Sequence, residues 1–403
     1  MNTSLVVFIL VYIGMFLGRI PRLQLDRTGI ALLGALVLMV VGVVPLEHAT
    51  RLLDLPTLAL LFGLMVLSAQ LRLGGFYHAV ATRMASLSVS PRALLAVLVA
   101  TVGVLAAVFT NDVICLAVTP VVIAACERRA LDPVPYLLAV ACAANVGSAA
   151  TLIGNPQNML IGQVLQLSFA GYIAVAAVPA MAGLAATWAI LALQIRHHER
   201  VPDSQAPDPV RKLDRWQTGK GLTMAAALLV AFLVAPWPRE LIALGVAGIA
   251  LTSRKMHSRE MLGLVDWQLL VLFAGLFIVN GAFQETMLPA AFVDAVGARG
   301  FDIAAPAPLL ATTVVLSNLV SNVPAVMLLL EFASHPLAGP ILALSSTMAG
   351  NLLIVGSIAN IIVVDSAGRH GIAIDWRRHA WAGVPVTVVT LAITTLWLMM
   401  RAG

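Results

Sequence analysis

Two polar runs interrupt long apolar sequence, Thr110-Asn111-Asp112 and Ser321-Asn322-Val323. Each is followed by a glycine-centred run that breaks a helix, Ile153-Gly154-Asn155-Pro156-Gln157-Asn158 and Val355-Gly356-Ser357-Ile358-Ala359-Asn360. At such a break the following half-helix presents free N–H groups and a positive dipole end, and the preceding one presents free carbonyls. An anion can use the first and a cation the second. Asn111, Asn155, Asn158, Asn322 and Asn360 add amides that donate and accept, and Thr110, Ser148, Thr151, Ser317, Ser321 and Ser357 add hydroxyls. Gly154 and Gly356 permit close backbone approach, and Pro156 removes one donor. Taken singly, such residues also glue membrane helices together. The doubling is what argues for a site. Asn111 and Asn322 are 211 positions apart, as are Leu61-Phe62 and Leu272-Phe273, whereas Gly154 and Gly356, like Asn158 and Asn360, are 202 apart. The chain therefore reads as two repeats in one internal order, the second with a shorter connection.

With 60% hydrophobic and 11% charged residues and a mean hydropathy of +0.97, the chain is no soluble globular domain, since those carry about a quarter charged residues. Its solvent is a lipid bilayer. Basic residues are scattered singly among connections, so the pI near 9.5 implies no nucleic-acid surface. Cys115, Cys126 and Cys142 lie in or beside apolar segments without metal-ligand spacing, which predicts neither a disulfide framework nor a metal site. The first apolar stretch, Leu5 to Leu17, follows no positive residue and reads as a retained helix. Asp112 stands apart from the other carboxylates, which fall at span ends or in loops. It sits at a tip expected near the membrane midplane, where an ionised Asp costs about 2.5 to 3.5 kcal/mol. It is a candidate proton carrier or cation ligand, the competing role being closure of the tip through backbone N–H groups. No Arg or Lys lies in an apolar core, so an anion would be held by helix ends, amides and a bound cation.

The elements that position these residues follow from apolar length. Spans are predicted at 4–18, 28–46, 56–72, 134–166 and 170–195, and again at 219–236, 239–253, 267–284, 340–364 and 380–400. Stretches 92–127 and 304–331 carry the polar tips at their centres and read as re-entrant hairpins. The fold class is an all-α polytopic membrane protein of two inverted repeats, each of five transmembrane helices, one broken, plus a hairpin. Repeat 1 covers 1–195 with its broken helix at 134–166, and repeat 2 covers 219–403 with its broken helix at 340–364. Residues 196–218 form a cytoplasmic linker. Five crossings per half invert the second half, and this topology puts 20 of the 24 Lys and Arg on one side and Arg51, Arg239, Arg299 and Arg401 on the other. The rich side is then cytoplasmic and both termini are periplasmic, in a bacterial inner membrane.

The residues quoted above, with Pro120, Ala150-Thr151-Leu152, Ser317-Asn318-Leu319-Val320, Pro324-Ala325 and Gly350-Asn351, resemble the ion transporter superfamily, particularly its arsenite-permease-like anion permeases. The resemblance covers nearly the whole chain. Divalent anion:sodium symporters of that superfamily carry Ser-Asn-Thr at both tips; Thr-Asn-Asp and Ser-Asn-Val are closer to its arsenite permease and sodium/proton antiporter branches. The resemblance implies a scaffold and a transport domain that holds both hairpins and both broken helices and moves in an elevator-like way. It also implies cation sites at Asn111 with Gly154 and at Ser321 and Asn322 with Gly356.

An intramembrane protease would need a Ser with a His, two membrane carboxylates, or a zinc motif. The eight histidines fall in loops or at span ends, and one carboxylate is deep, so no enzyme is expected. Paired interrupted segments instead point to a secondary transporter with its site near the midplane. The expected substrate is a small inorganic anion or oxyacid, arsenite first, with efflux coupled to a proton or sodium gradient. A sodium/proton antiporter is the next reading, and an importer of a carboxylate or other anion the third. No cofactor is expected beyond a coupling Na⁺ or H⁺, and a homodimer is one assembly open to it.

Overall fold

The computed structural model describes residues 2–18, 25–195, 213–286 and 302–402, with Leu288 and Ala291. Every regular element among them is helical. The first half runs α1 (Thr3–Leu17), α2 (Arg27–Val40), α3 (Leu46–Leu52), α4 (Leu55–Leu73), α5 (Phe76–Ala85), α6 (Pro91–Val108), α7 (Asn111–Arg128), α8 (Pro133–Ser148), α9 (Pro156–Val164) and α10 (Phe169–Ala192). The second runs α11 (Arg215–Val234), α12 (Arg239–Leu251), α13 (Ser258–Leu262), α14 (Trp267–Gln284), α15 (Pro306–Val320), α16 (Asn322–Leu329), α17 (Ala338–Ala349), α18 (Ile358–Arg369) and α19 (Trp376–Ala402). Short helices α3, α5 and α13 were not foreseen, because hydrophobic periodicity needs a window of about 11 residues to register. The expected linker lies outside the described residues up to 212. Residues 215–218 belong to α11, whose start is set by the Asp214 carboxylate accepting from Trp216 N and Gln217 N.

Local chemistry explains where most helices begin. Asp26, Asp54, Ser90, Asp132, Ser168 and Asp266 each accept a hydrogen bond from an N–H two or three residues onward. Such caps contribute about 1 kcal/mol each and place carboxylates at span ends, where water reaches them. Among the described residues six helices, α4, α6, α10, α11, α14 and α19, are long and apolar enough to cross a membrane. α6 is one of them, so this hairpin arm has the length and composition of a full span.

The two halves are packed through each other. A Cβ on Gly63 of α4 would lie 2.7 Å from the Ala243 backbone of α12, and one on Gly275 of α14 would lie 2.8 Å from the Ala31 backbone of α2. Gly63 and Gly275 are 212 positions apart, and so are Ala31 and Ala243. Each half thus lends a glycine to the other half's alanine, and the helix pairs α4·α12 and α14·α2 close by backbone contact. α8 and α17, the first parts of the two broken helices, are buried along their whole lengths and form the centre of the molecule. Gly147 of α8 meets the Gly103 backbone of α6 so closely that a Cβ would lie 2.3 Å from its carbonyl oxygen.

These contacts leave no room for a side chain. Gly63→Ala and Gly275→Ala are each expected to cost about 1 to 3 kcal/mol through forced separation of backbones. The measurement is melting temperature of detergent-purified protein. Gly248→Ala, where a Cβ meets nothing within 4 Å, is the control and is expected to gain about 0.5 to 1 kcal/mol from helix propensity.

Candidate functional site

The chain leaves α8 at Ser148 and resumes helix at Pro156, and leaves α17 at Ala349 to resume at Ile358. Freed carbonyls at both breaks are taken up by an asparagine from the next half-helix. Asn158 Nδ2 donates to Thr151 O at 2.9 Å, Ser148 O at 3.5 Å and Tyr172 Oη at 3.2 Å. Asn360 Nδ2 donates to Leu353 O at 3.0 Å and Gly350 O at 2.7 Å. In both cases the accepting carbonyls lie seven and ten residues upstream. New helix starts are capped locally, Asn155 Oδ1 accepting from Asn158 N at 2.9 Å and Ser357 Oγ from Ala359 N at 3.2 Å.

The caps also reach across. Asn155 Nδ2 donates to Ser148 Oγ at 3.0 Å and to Thr347 Oγ1 on α17 at 3.2 Å, while Ser357 Oγ donates to Asn145 Oδ1 on α8 at 2.9 Å. Asn155 and Ser357 are 202 apart, and so are Asn145 and Thr347, so the two cross-links are counterparts. Asn145 joins more than these. Its Oδ1 also accepts from Asn111 Nδ2 at 3.1 Å, and its Nδ2 donates to Asn351 Oδ1 at 2.9 Å and Asn360 Oδ1 at 3.2 Å. One buried amide, with both donors and both lone pairs used, ties the first tip to the second break. Sequence reasoning missed Asn145, Thr347 and Tyr172. The signal for the first two was present: a lone Asn in apolar α8 and a Thr at the repeat spacing in α17.

The tips share a motif but not a backbone. At the first, Asn111 N donates to Gly154 O at 3.0 Å and Thr151 Oγ1 to Ala107 O at 2.5 Å. A Cβ on Gly154 would lie 2.2 Å from Ser148 O and 2.8 Å from Ala106 O, so only glycine fits between tip and break. At the second, Asn322, its amide nitrogen oriented toward two carbonyls, donates to Gly356 O at 3.2 Å and Ser346 O at 3.0 Å. Thr110 has ordinary extended angles, φ −64° and ψ 133°, whereas Ser321 has φ 79° and ψ 160°, a region nearly reserved for glycine. Holding a non-glycine residue there costs about 1 to 3 kcal/mol, and such strain clusters at binding sites. Asn111 Oδ1, Ser317 Oγ and Asn318 Oδ1 are buried without a protein partner. They are oxygens, chemically suited to a cation or to a hydroxyl donor.

Asp112 lines a cavity of about 50 Å³ with Ser68, Arg72, Thr110, Pro156 and Asp266. This corrects two expectations. Asp112 is not alone, since the α14 cap Asp266 shares its cavity, and a cation, Arg72, lines it too. Both come from the ends of α4 and α14, which reach the first tip, a placement that span lengths alone do not reveal. Asp112 accepts no hydrogen bond from the tip backbone, so the closure role is not what the geometry shows. His379 lies at a span end, as expected, yet joins the site. Although near a helix start, it is buried with Nε2 3.0 Å from Asn351 O at the second break. A larger groove of about 450 Å³, lined by Phe76, Arg83, Met84 and Thr101 among others, involves neither tip.

Comparison with known proteins places this arrangement. The profile of the CitMHS family, described as citrate transporter, matches residues 6–341. The chain belongs to that family. Silicon efflux transporter LSI3 of Oryza sativa subsp. japonica is 28% identical, with 93% of this chain and 92% of LSI3 covered. Inner membrane protein YbiR of Escherichia coli is 31% identical, with 82% and 84% covered. The crystal structure of the Alcanivorax borkumensis YdaH transporter, of unusual topology, has the same fold at a TM-score of 0.59 and 16% identity, covering 98% of this chain and 96% of that one. This CitMHS member is therefore a membrane-embedded secondary transporter of the ion transporter superfamily, not an enzyme.

The hub and the strained tip make separable demands. Asn145→Ala leaves buried partners on Asn111, Ser357, Asn351 and Asn360 unpaired, at about 1 to 3 kcal/mol for each group not re-satisfied. A large fall in melting temperature and loss of flux are expected. Ser321→Gly relieves strain and is expected to raise stability by about 1 kcal/mol while lowering flux; a variant no more stable than the parent would remove strain from the account.

Proposed function

We propose that this protein exports a small inorganic anion or oxyacid, arsenite being the first candidate, across a bacterial inner membrane at the expense of a proton or sodium gradient. The observation that carries this reading is one buried polar network uniting both tips and both breaks, with an uncapped Asp112 on a small cavity beside it. Substrate contacts are assigned to Thr110, Asn111, Ser148, Thr151, Gly154, Asn155 and Asn158 from the first half. Ser317, Ser321, Asn322, Gly356, Ser357 and Asn360 complete them from the second. Asp112 couples, by taking up and releasing a proton or by ligating the cation. Unpartnered oxygens of Asn111 and Ser317 suit a cation or an oxyacid hydroxyl. The reciprocal contacts at spacings of 212 and 202 support an inverted repeat whose tips are re-entrant hairpins. They also support a mechanism in which tips and breaks move as a body past a scaffold of α1, α2, α4, α11, α12 and α14. The charge asymmetry supports periplasmic termini.

A cavity of about 50 Å³ has room for roughly three or four waters, which favours an oxyacid of a few atoms over a tricarboxylate in this state. Silicon efflux, stated of the rice relative, is in line with that class, since dissolved silicon is a small hydroxy acid. The family's description as citrate transporter favours a carboxylate as the second reading.

Proteoliposomes offered arsenite, silicic acid or citrate under imposed proton or sodium gradients test both. Gradient-driven arsenite or silicic acid accumulation is expected, and accumulation of citrate alone would install the second reading. Asp112→Asn keeps shape but cannot titrate, so uphill accumulation and its pH dependence are expected to vanish while substrate binding partly survives. Asp112→Ala is expected to keep normal yield. An Asn variant that accumulates substrate with unchanged pH dependence would refute the coupling role.

A further inference from the structure

The repeats are alike in sequence spacing but differ in their contacts at α9 and α18 as well as at the tips. On α12, Arg239 Nη2 donates to Gly162 O near the C-terminal end of α9 at 2.8 Å, and Gln163 Nε2 donates to Glu240 Oε2 at 3.0 Å. The guanidinium thus shares with Leu167 N, which donates to the same oxygen at 3.1 Å, a carbonyl in the last turn of α9, near its negative end. Counterparts are given by the spacings already met. Arg27-Thr28 begins α2 as Arg239-Glu240 begins α12, 212 positions on, the same register that pairs Ala31 with Ala243. Val364-Asp365 of α18 correspond to Gly162-Gln163 of α9 in the 202 register that pairs Asn158 with Asn360, although α18 continues beyond them to Arg369. This counterpart contact is open. Arg27 makes no hydrogen bond or ion pair with a described residue, Thr28 Oγ1 donates to Gln268 O at 3.4 Å, and Asp365 pairs with Arg369 on its own helix at 2.7 Å. Gln163 is 4% exposed while the Asp365 side chain is 59% exposed.

We infer that Arg27 and Thr28 of α2 bind the Asp365 carboxylate of α18 in the opposite transport state, and that this contact closes as the α12–α9 contact opens. The inference rests on the moving-body reading above. Two near-equivalent halves that hold different contacts describe one of two exchangeable arrangements, and the exchange maps each contact onto the other. The chemistry is complementary as well. The closed contact has an arginine, an acid on the scaffold and an amide on the moving helix. The open one has an arginine and a hydroxyl on the scaffold and the acid on the moving helix. The breaks differ in the same sense, Ile153 being 1% exposed and its counterpart Val355 51%.

The test uses full-length protein in proteoliposomes with Cys115, Cys126 and Cys142 replaced by Ala. Glu240→Cys with Gln163→Cys, and Thr28→Cys with Asp365→Cys, are oxidised and read by intact mass. Each pair is expected to bridge and to arrest flux, and in the four-cysteine protein each molecule is expected to carry one bridge or the other. Both bridges in one molecule overturn the inference. So does absence of the 28–365 bridge when the thiol of Val113→Cys, at a position that lines the Asp112 cavity, still changes its labelling side as the gradient is reversed. A Val113→Cys thiol whose labelling never changes side overturns the moving-body reading itself. Arg27→Gln removes no hydrogen bond of the present state and is expected to speed 163–240 bridging about two- to fivefold, with Arg239→Gln slowing it. Shifts in the same direction contradict the exchange.

Discussion

Helices interrupted in apolar surroundings must find partners for carbonyls and amides that water would otherwise serve. In this protein the amides of Asn158 and Asn360 meet that demand, each reaching back to carbonyls seven and ten residues upstream. Much else depends on that repair. It allows the chain to leave the helix at the centre of the molecule, which brings Gly154 O onto Asn111 N and Gly356 O onto the Asn322 amide. Each bond is worth only about 0.5 to 1.5 kcal/mol net, but each orphaned group would cost about 1 to 3. The network is therefore held in place mainly by what its loss would cost.

The same economy explains how the halves are joined. Lipid tails are as apolar as leucine, so helix association relies on close backbone approach and interhelical hydrogen bonds. Gly63 on Ala243 and Gly275 on Ala31 supply the first, and Asn155 to Thr347 and Ser357 to Asn145 supply the second. Every one of these crosses between halves. Neither half could keep these contacts alone, which ties the folding of the site to the folding of the whole. At the C-terminal turn of α9 and the matching turn of α18, one contact is made and its counterpart is not.

Asp112 shows how position, more than residue type, makes chemistry. Acids that begin helices, such as Asp54, Asp132 and Asp266, accept N–H groups of the following turn. Asp112, in the first turn of α7, accepts none from its tip and faces a cavity that it shares with Asp266 and Arg72.

Much of this molecule was legible in its residues. Composition selected the bilayer, apolar lengths located the long helices to within about four residues at each end, and the repeated Asn and Gly marked the tips and breaks. These succeed because hydrocarbon leaves few alternatives: spans must be apolar, and deep polar residues must have a use. What sequence did not reveal depends on which helices meet. Asn145 and Thr347 look like ordinary residues of buried helices until the opposite break is folded against them. Arg72 and Asp266 look like span ends until α4 and α14 are set against the first tip. Ser321 carries its strain through a backbone angle that no residue name records. The tertiary structure decided these because a hydrogen-bond partner hundreds of positions away is a property of packing, whereas the need for a partner is a property of the residue itself.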